Sequence, residues 1–106
     1  MVEETFEAEL WVNNKSVELN PFVEQILAGT VAGALRSLKG VESMQSVELQ
    51  LHQGSVAITV NGKEVALTPF PNDIIAGTVA GFVSSLKGVD KIEILKINLR
   101  ANPAKP

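Results

Sequence analysis

The sequence predicts an α+β fold in which a ββαβ unit occurs twice, its six strands forming one curved, mostly antiparallel sheet or incomplete barrel, with two helices packed on the apolar side. Three observations lead there. Residues 12–51 and 60–99 align without a gap at an offset of 48 and share 20 of 40 positions, among them AGTVAG (Ala28–Gly33 and Ala76–Gly81) and SLKGV (Ser37–Val41 and Ser85–Val89). Short segments alternate apolar and polar residues, the period of a half-buried strand. Two uncharged segments, Ile26–Leu35 and Ile74–Leu86, carry apolar residues at helical spacing and are well short of the roughly 20 residues of a membrane span. Stacked repeats need about three units for stability, so two copies predict a single pseudo-twofold domain. Repeat 1 covers about residues 5–52 and repeat 2 about residues 53–99, leaving Arg100–Pro106 as a frayed tail.

Each copy opens on a strand. Phe6, Ala8, Leu10 and Val12 alternate with Glu7, Glu9, Trp11 and Asn13, as Val56, Ile58 and Val60 do with Ala57 and Thr59. Asn13-Asn14 and Asn61-Gly62 then supply residues that tolerate positive φ, as a two-residue type I′ hairpin requires. Second strands follow at Lys15–Leu19 and Lys63–Leu67. Helices start at Asn20-Pro21 and Thr68-Pro69, where a side-chain oxygen caps orphan amides and Pro suits the first helical position. Both are expected to stop at Lys-Gly, with Gly40 and Gly88 in the left-handed conformation. Third strands carry Val47, Leu49 and Leu51, then Leu95, Ile97 and Leu99. His52-Gln53-Gly54 is so short a link that the third strand must turn directly into the fourth. By the repeat, the sixth strand then lies beside the first.

On a helical projection, Leu27, Val31, Ala34, Leu35 and Leu38 form the side expected to lie on the sheet. A second apolar strip holds Phe22, Ile26, Gly29 and Gly33, repeated as Phe70, Ile74, Gly77 and Gly81. An interior helical glycine costs about 1 kcal/mol relative to alanine, which calls for a close neighbour. The expectation is that Gly29 and Gly33 face Gly77 and Gly81 as a tight helix–helix contact; the alternatives are that the glycines lie against the sheet or solvent, or that they wall a ligand cavity. A third strip is expected at the surface: on the second helix it holds Ala76, Ala80 and Ser84 where the first holds Ala28, Ala32 and Arg36, so there it is small and weakly charged, suited either to docking a second chain or to an ordinary Ala-rich solvent face.

Composition narrows the chemistry. With no Cys, thiolate metal sites and cysteine nucleophiles are excluded. His52 stands alone in a hairpin, without a motif for a serine or carboxylate partner, and there is no EF-hand, Walker or GxGxxG spacing. No catalytic residue, metal site or cofactor is therefore expected. Net charge is −3, split as −5 over residues 1–52 and +2 over residues 53–106, without the basic stripe of a nucleic-acid surface. Membrane partners are not expected either, and the acidic opening Met1–Glu7 lacks the pattern of a secretory signal, which points to the cytoplasm. Trp11 projects to the outer sheet face among Glu9, Glu18 and Glu48, and these four residues form a candidate partner surface.

The hairpin Ile58–Val65 resembles, over fewer than ten residues, the opening hairpin of the β-grasp sulfur-carrier family, although the chain ends Ala104-Lys105-Pro106 rather than in Gly-Gly. The pseudo-twofold plan is similar at the fold level to the TATA-box-binding family, without its basic, aromatic DNA-reading surface. Neither resemblance assigns a family. The functional expectation is a small non-enzymatic binding or assembly module made of a fused pair of ββαβ units, whose partner is a second copy or another protein. Its alternatives are a binder holding an apolar ligand between helices and sheet, and an accessory subunit of an enzyme.

Overall fold

The computed structural model describes residues 6–38, 44–86, 89 and 91–101. Its elements are β1 (Phe6–Val12), β2 (Lys15–Val17), α1 (Pro21–Arg36), β3 (Ser46–His52), β4 (Ser55–Val60), β5 (Lys63–Val65), α2 (Pro69–Ser84) and β6 (Ile94–Ala101). The bounds of β2 and α1 recur 48 residues later in β5 and α2. All six strands join one curved antiparallel sheet in the order β2-β1-β6-β3-β4-β5. Both expected pairings form, β3 with β4 and β6 with β1, and β3 pairs with β6 at the centre. The sheet stays open and no barrel is made. Its edges, β2 and β5, are three residues long and lie at opposite ends of the strand order.

The core follows from register. Val17, Leu10, Ile97, Leu49, Ile58 and Val65 are successive partners across all six strands. At the middle of this row Leu49 faces Ile97, a pair 48 residues apart. The flanking rows bring Val12, Leu95 and Leu51 together on one side, and Ala8, Leu99, Val47 and Val60 on the other. All of these except Val17 and Val65 are buried under the helices, α1 over β1 and α2 over β4. A one-residue slip of any central strand would carry its apolar set to the solvent face, so burial holds the register.

Asparagines do more than turn the chain. Asn13 and Asn14 have φ of 52° and 68°, and Asn61 and Gly62 have 52° and 83°, as type I′ turns require. The Asn13 side chain also reaches across the sheet, its Oδ1 accepting from the Glu93 and Ile94 N–H groups at 2.8 and 3.0 Å. Asn61 Oδ1 likewise accepts from Gln45 and Ser46 at 2.7 and 3.0 Å. Each turn therefore pins the start of a third strand. The outer edges of β1 and β4 are covered from the helix starts. Ala8 N–H donates to Glu24 Oε2 at 2.9 Å and Val56 N–H to Asn72 Oδ1 at 2.8 Å, which occupies amides that would otherwise be open to another strand.

Several boundaries differ from the sequence reading. The second strands end at Val17 and Val65 rather than Leu19 and Leu67. Asn20 caps α1, accepting from Val23 N–H at 2.8 Å, whereas Thr68 makes no side-chain cap bond, because the equivalent of Val23 is Pro71, which has no N–H. The helices end at Arg36 and Ser84 in tightened last turns, where the Ser37 and Ser85 hydroxyls donate to the Gly33 and Gly81 carbonyls. The left-handed positions expected at Gly40 and Gly88 lie outside the described residues. Arg100 and Ala101 are not a frayed tail. They extend β6, Arg100 facing Glu7 on one side and Ser46 on the other, and Ala101 facing Phe6.

Candidate functional site

Where the helices rest decides which surface is left for function. The buried residues of α1 are Leu27, Ala28, Val31, Ala32 and Leu35, a continuous arc of about 140° at roughly 100° per residue. Phe22, Ile26, Gly29 and Gly33 lie on the opposite side of the same helix. In α2, Ile75, Val79 and Val83 are buried, and Phe70, Ile74, Gly77 and Gly81 point outward in the same way. The expected glycine contact between the helices is therefore not made. All four glycines are exposed, and a Cβ added at any of them would meet nothing within 4 Å. The helices approach each other one strip over, where Thr30, Val31 and Ala34 stand near Ile75, Thr78 and Val79.

The outward strips form an apolar face. Phe22 is 71% exposed, Phe70 75%, Ile26 40% and Ile74 52%, and these are the large apolar side chains left exposed among the described residues. No charged residue occurs from Gln25 through Leu35 or from Ile74 through Ser85. A monomeric soluble protein seldom leaves a contiguous apolar patch larger than about 300–600 Å² without a use for it.

The third strip differs between the halves. On α1, Ala28 and Ala32 are buried, contrary to the surface position expected for them, and the Arg36 guanidinium stands 6.0 Å from the centroid of the buried Phe6 ring. Forty-eight residues after Phe6 the chain has Gly54. Beside α2 there is a groove of about 330 Å³, its floor and walls formed by Leu51, Gly54, Ala76, Gly77, Ala80 and Ile92 and its rim by the exposed Gln53 and Glu93, with Ala76 and Ala80 only half-buried. Among the described residues, the cavity where the two helices meet above Leu49 measures about 10 Å³, room for no more than a single water.

On the outer sheet face, Trp11 is half-buried, with Lys96 Nζ 5.6 Å from its ring centroid, a cation–π contact that holds the only tryptophan against the sheet. Glu9 and Glu48 flank Asn98 in register and are exposed, while Glu18 lies beyond the end of β2 and joins no strand pair. Three of the four residues expected as a partner surface thus share a face. Glu9 and Glu48, but not Trp11, border a shallow groove of about 460 Å³ with Glu7, Glu24, Ser46 and Arg100, in which Asn98 Oδ1 is buried without a hydrogen-bond partner. His52 is an exposed strand end beside Ser55. Among the described residues no group of three or more His, Cys, Asp or Glu side chains is placed to hold a metal ion, and no helix is long and apolar enough to cross a membrane.

No family model, curated protein or solved structure matches this chain. The candidate site thus rests on the surface alone, and its most distinctive part is the apolar helical face with the groove beside α2. The signal for that face was present in the sequence as Phe and Ile one turn apart leading into paired glycines. The signal for the groove was Phe6 standing over Gly54, just outside the aligned block.

Proposed function

We propose that the chain is a non-enzymatic assembly module whose working surface is the outer face of its helical layer. The observation that supports this reading is the placement of the exposed large apolar side chains, Phe22, Ile26, Phe70 and Ile74, on the one strip of each helix that points away from the sheet. Glycines beside them bare the helix backbone, so a partner can approach closely over the same strip. Interfaces draw most of their affinity from a few large, mainly aromatic, anchors, and this face carries two phenylalanines. The opposite sheet face is polar and carries Glu7, Glu9, Glu48 and Arg100 at its surface, as a solvated face does.

The test is contact mapping in the cell. A photo-cross-linking residue at Ile74 is expected to give an adduct, and the same residue at Gln50 on the outer sheet face none. Adducts at Gln50 alone, or at neither position, would refute the reading.

A further inference from the structure

We infer that the partner on this face is a second copy of the chain, and that an exposed phenylalanine of one copy seats in the groove beside α2 of the other. The proposal rests on the helical face being the working surface. The groove's occupant is indicated by the other half of the molecule. There the ring of the buried Phe6 meets the Arg36 guanidinium at 6.0 Å, and Ala28 and Ala32, on the same strip of α1 as Arg36, are both buried. In the second half Gly54 stands in place of Phe6, and the equivalent alanines, Ala76 and Ala80, line an open groove of about 330 Å³. The groove therefore has the setting of a phenyl ring without the ring. The chain has such rings to offer, since Phe22 and Phe70 are 71% and 75% exposed.

A copy related by a twofold axis meets both needs, because an isologous interface places each donor side chain in the other copy's receptor. Gly77 belongs both to the groove and to the outward strip, so the two surfaces are continuous. With about 200 Å² for a large apolar side chain, the exposures of Phe22, Ile26, Phe70 and Ile74 leave roughly 480 Å² per copy, or about 950 Å² for a pair. The bared backbone at Gly29, Gly33, Gly77 and Gly81 adds to this. The total approaches the roughly 1,200–2,000 Å² of a specific complex. Each chain carries −3, but the helix segments from Gln25 to Leu35 and from Ile74 to Ser85 carry no charge, and the one charged residue lining the groove, Glu93, is exposed to solvent.

Sedimentation equilibrium of the full chain, from 1 to 100 µM, tests the proposal. The expected mass at the upper end is 22.6 kDa, twice 11.3 kDa. F22A, F70A and the double variant identify the seated ring, whose loss raises the dimer dissociation constant at least about 30-fold. A80F fills the groove from within its own chain. It is expected to abolish the dimer while leaving thermal stability of the monomer unchanged or higher, a combination that unfolding would not produce. If A80F fails to fold, A76L serves in its place. A monomeric wild type at 100 µM, with Ile74 cross-linked to a chain of different mass, overturns the second copy and leaves the helical face standing. A dimer indifferent to F22A/F70A overturns both.

Discussion

Replacing the four helical glycines with alanine gives the sharpest test of where they lie. Gly29, Gly33, Gly77 and Gly81 occupy helix interiors, and a Cβ at each meets nothing within 4 Å. Each substitution should therefore recover the full helix-propensity difference of about 0.8–1 kcal/mol, part of it through a less flexible unfolded chain. The two pairs lie on different helices, and within each pair the added methyls are one turn apart with nothing else in contact, so the effects should sum to about 3–4 kcal/mol for the quadruple variant. With a urea m-value of about 1–2 kcal/mol/M, one substitution moves the unfolding midpoint up by about 0.5–1 M. Urea titrations should be run at sub-micromolar chain, where self-association contributes least. They should be followed both by circular dichroism, which reports the helices, and by Trp11 fluorescence, which reports the sheet. Coincident transitions would establish two-state behaviour. A midpoint that falls on G29A or G77A would mean that something inside the chain packs against the glycines, and the outward assignment of the strip would be wrong.

Other consequences are as direct. Asn13→Gly keeps the positive φ but removes the acceptor for Glu93 and Ile94 N–H and the donor to Lys91 O, so it should cost about 1–3 kcal/mol in urea unfolding; Asn13→Ala should cost about 1 kcal/mol more through its left-handed backbone. Asn14→Gly, at φ 68°, should instead stabilise by up to about 1 kcal/mol. Glu24→Ala and Asn72→Ala uncover the Ala8 and Val56 amides respectively, and hydrogen exchange at each should accelerate about tenfold or more in its own variant only. Leu49→Ala and Ile97→Ala, at the fully buried centre of the sheet, should each cost about 2–5 kcal/mol, and a loss below 1 kcal/mol in thermal melts would mean the central row is misplaced.

Much of the architecture is written locally, which is why it was legible. Alternation around Phe6–Val12 and Ser46–His52, the Asn-Asn and Asn-Gly turns, and Pro after a capping residue act within a few positions, and each produced the element observed there. The repeat supplied a long-range step, since pairing β3 with β4 implied β6 beside β1. Local signals also failed locally: Thr68 resembles a cap, but Pro71 has no amide to be capped.

Local patterns of a few residues specify the elements, their turns and the apolar strips of the helices. They do not determine which strip goes where. Leu27, Val31 and Leu35 have Ala28 and Ala32 on one flank and Thr30 and Ala34 on the other, both small enough to pack against a neighbour. A helix lying on a sheet beside a second helix must bury two arcs, and periodicity cannot rank the flanks. Tertiary structure turned Ala28 and Ala32 into the core, Thr30 and Ala34 toward α2, and Phe22, Ile26, Gly29 and Gly33 outward. The glycines expected to join the helices became part of the exposed face, because sheet and neighbouring helix together cover only two sides of a cylinder.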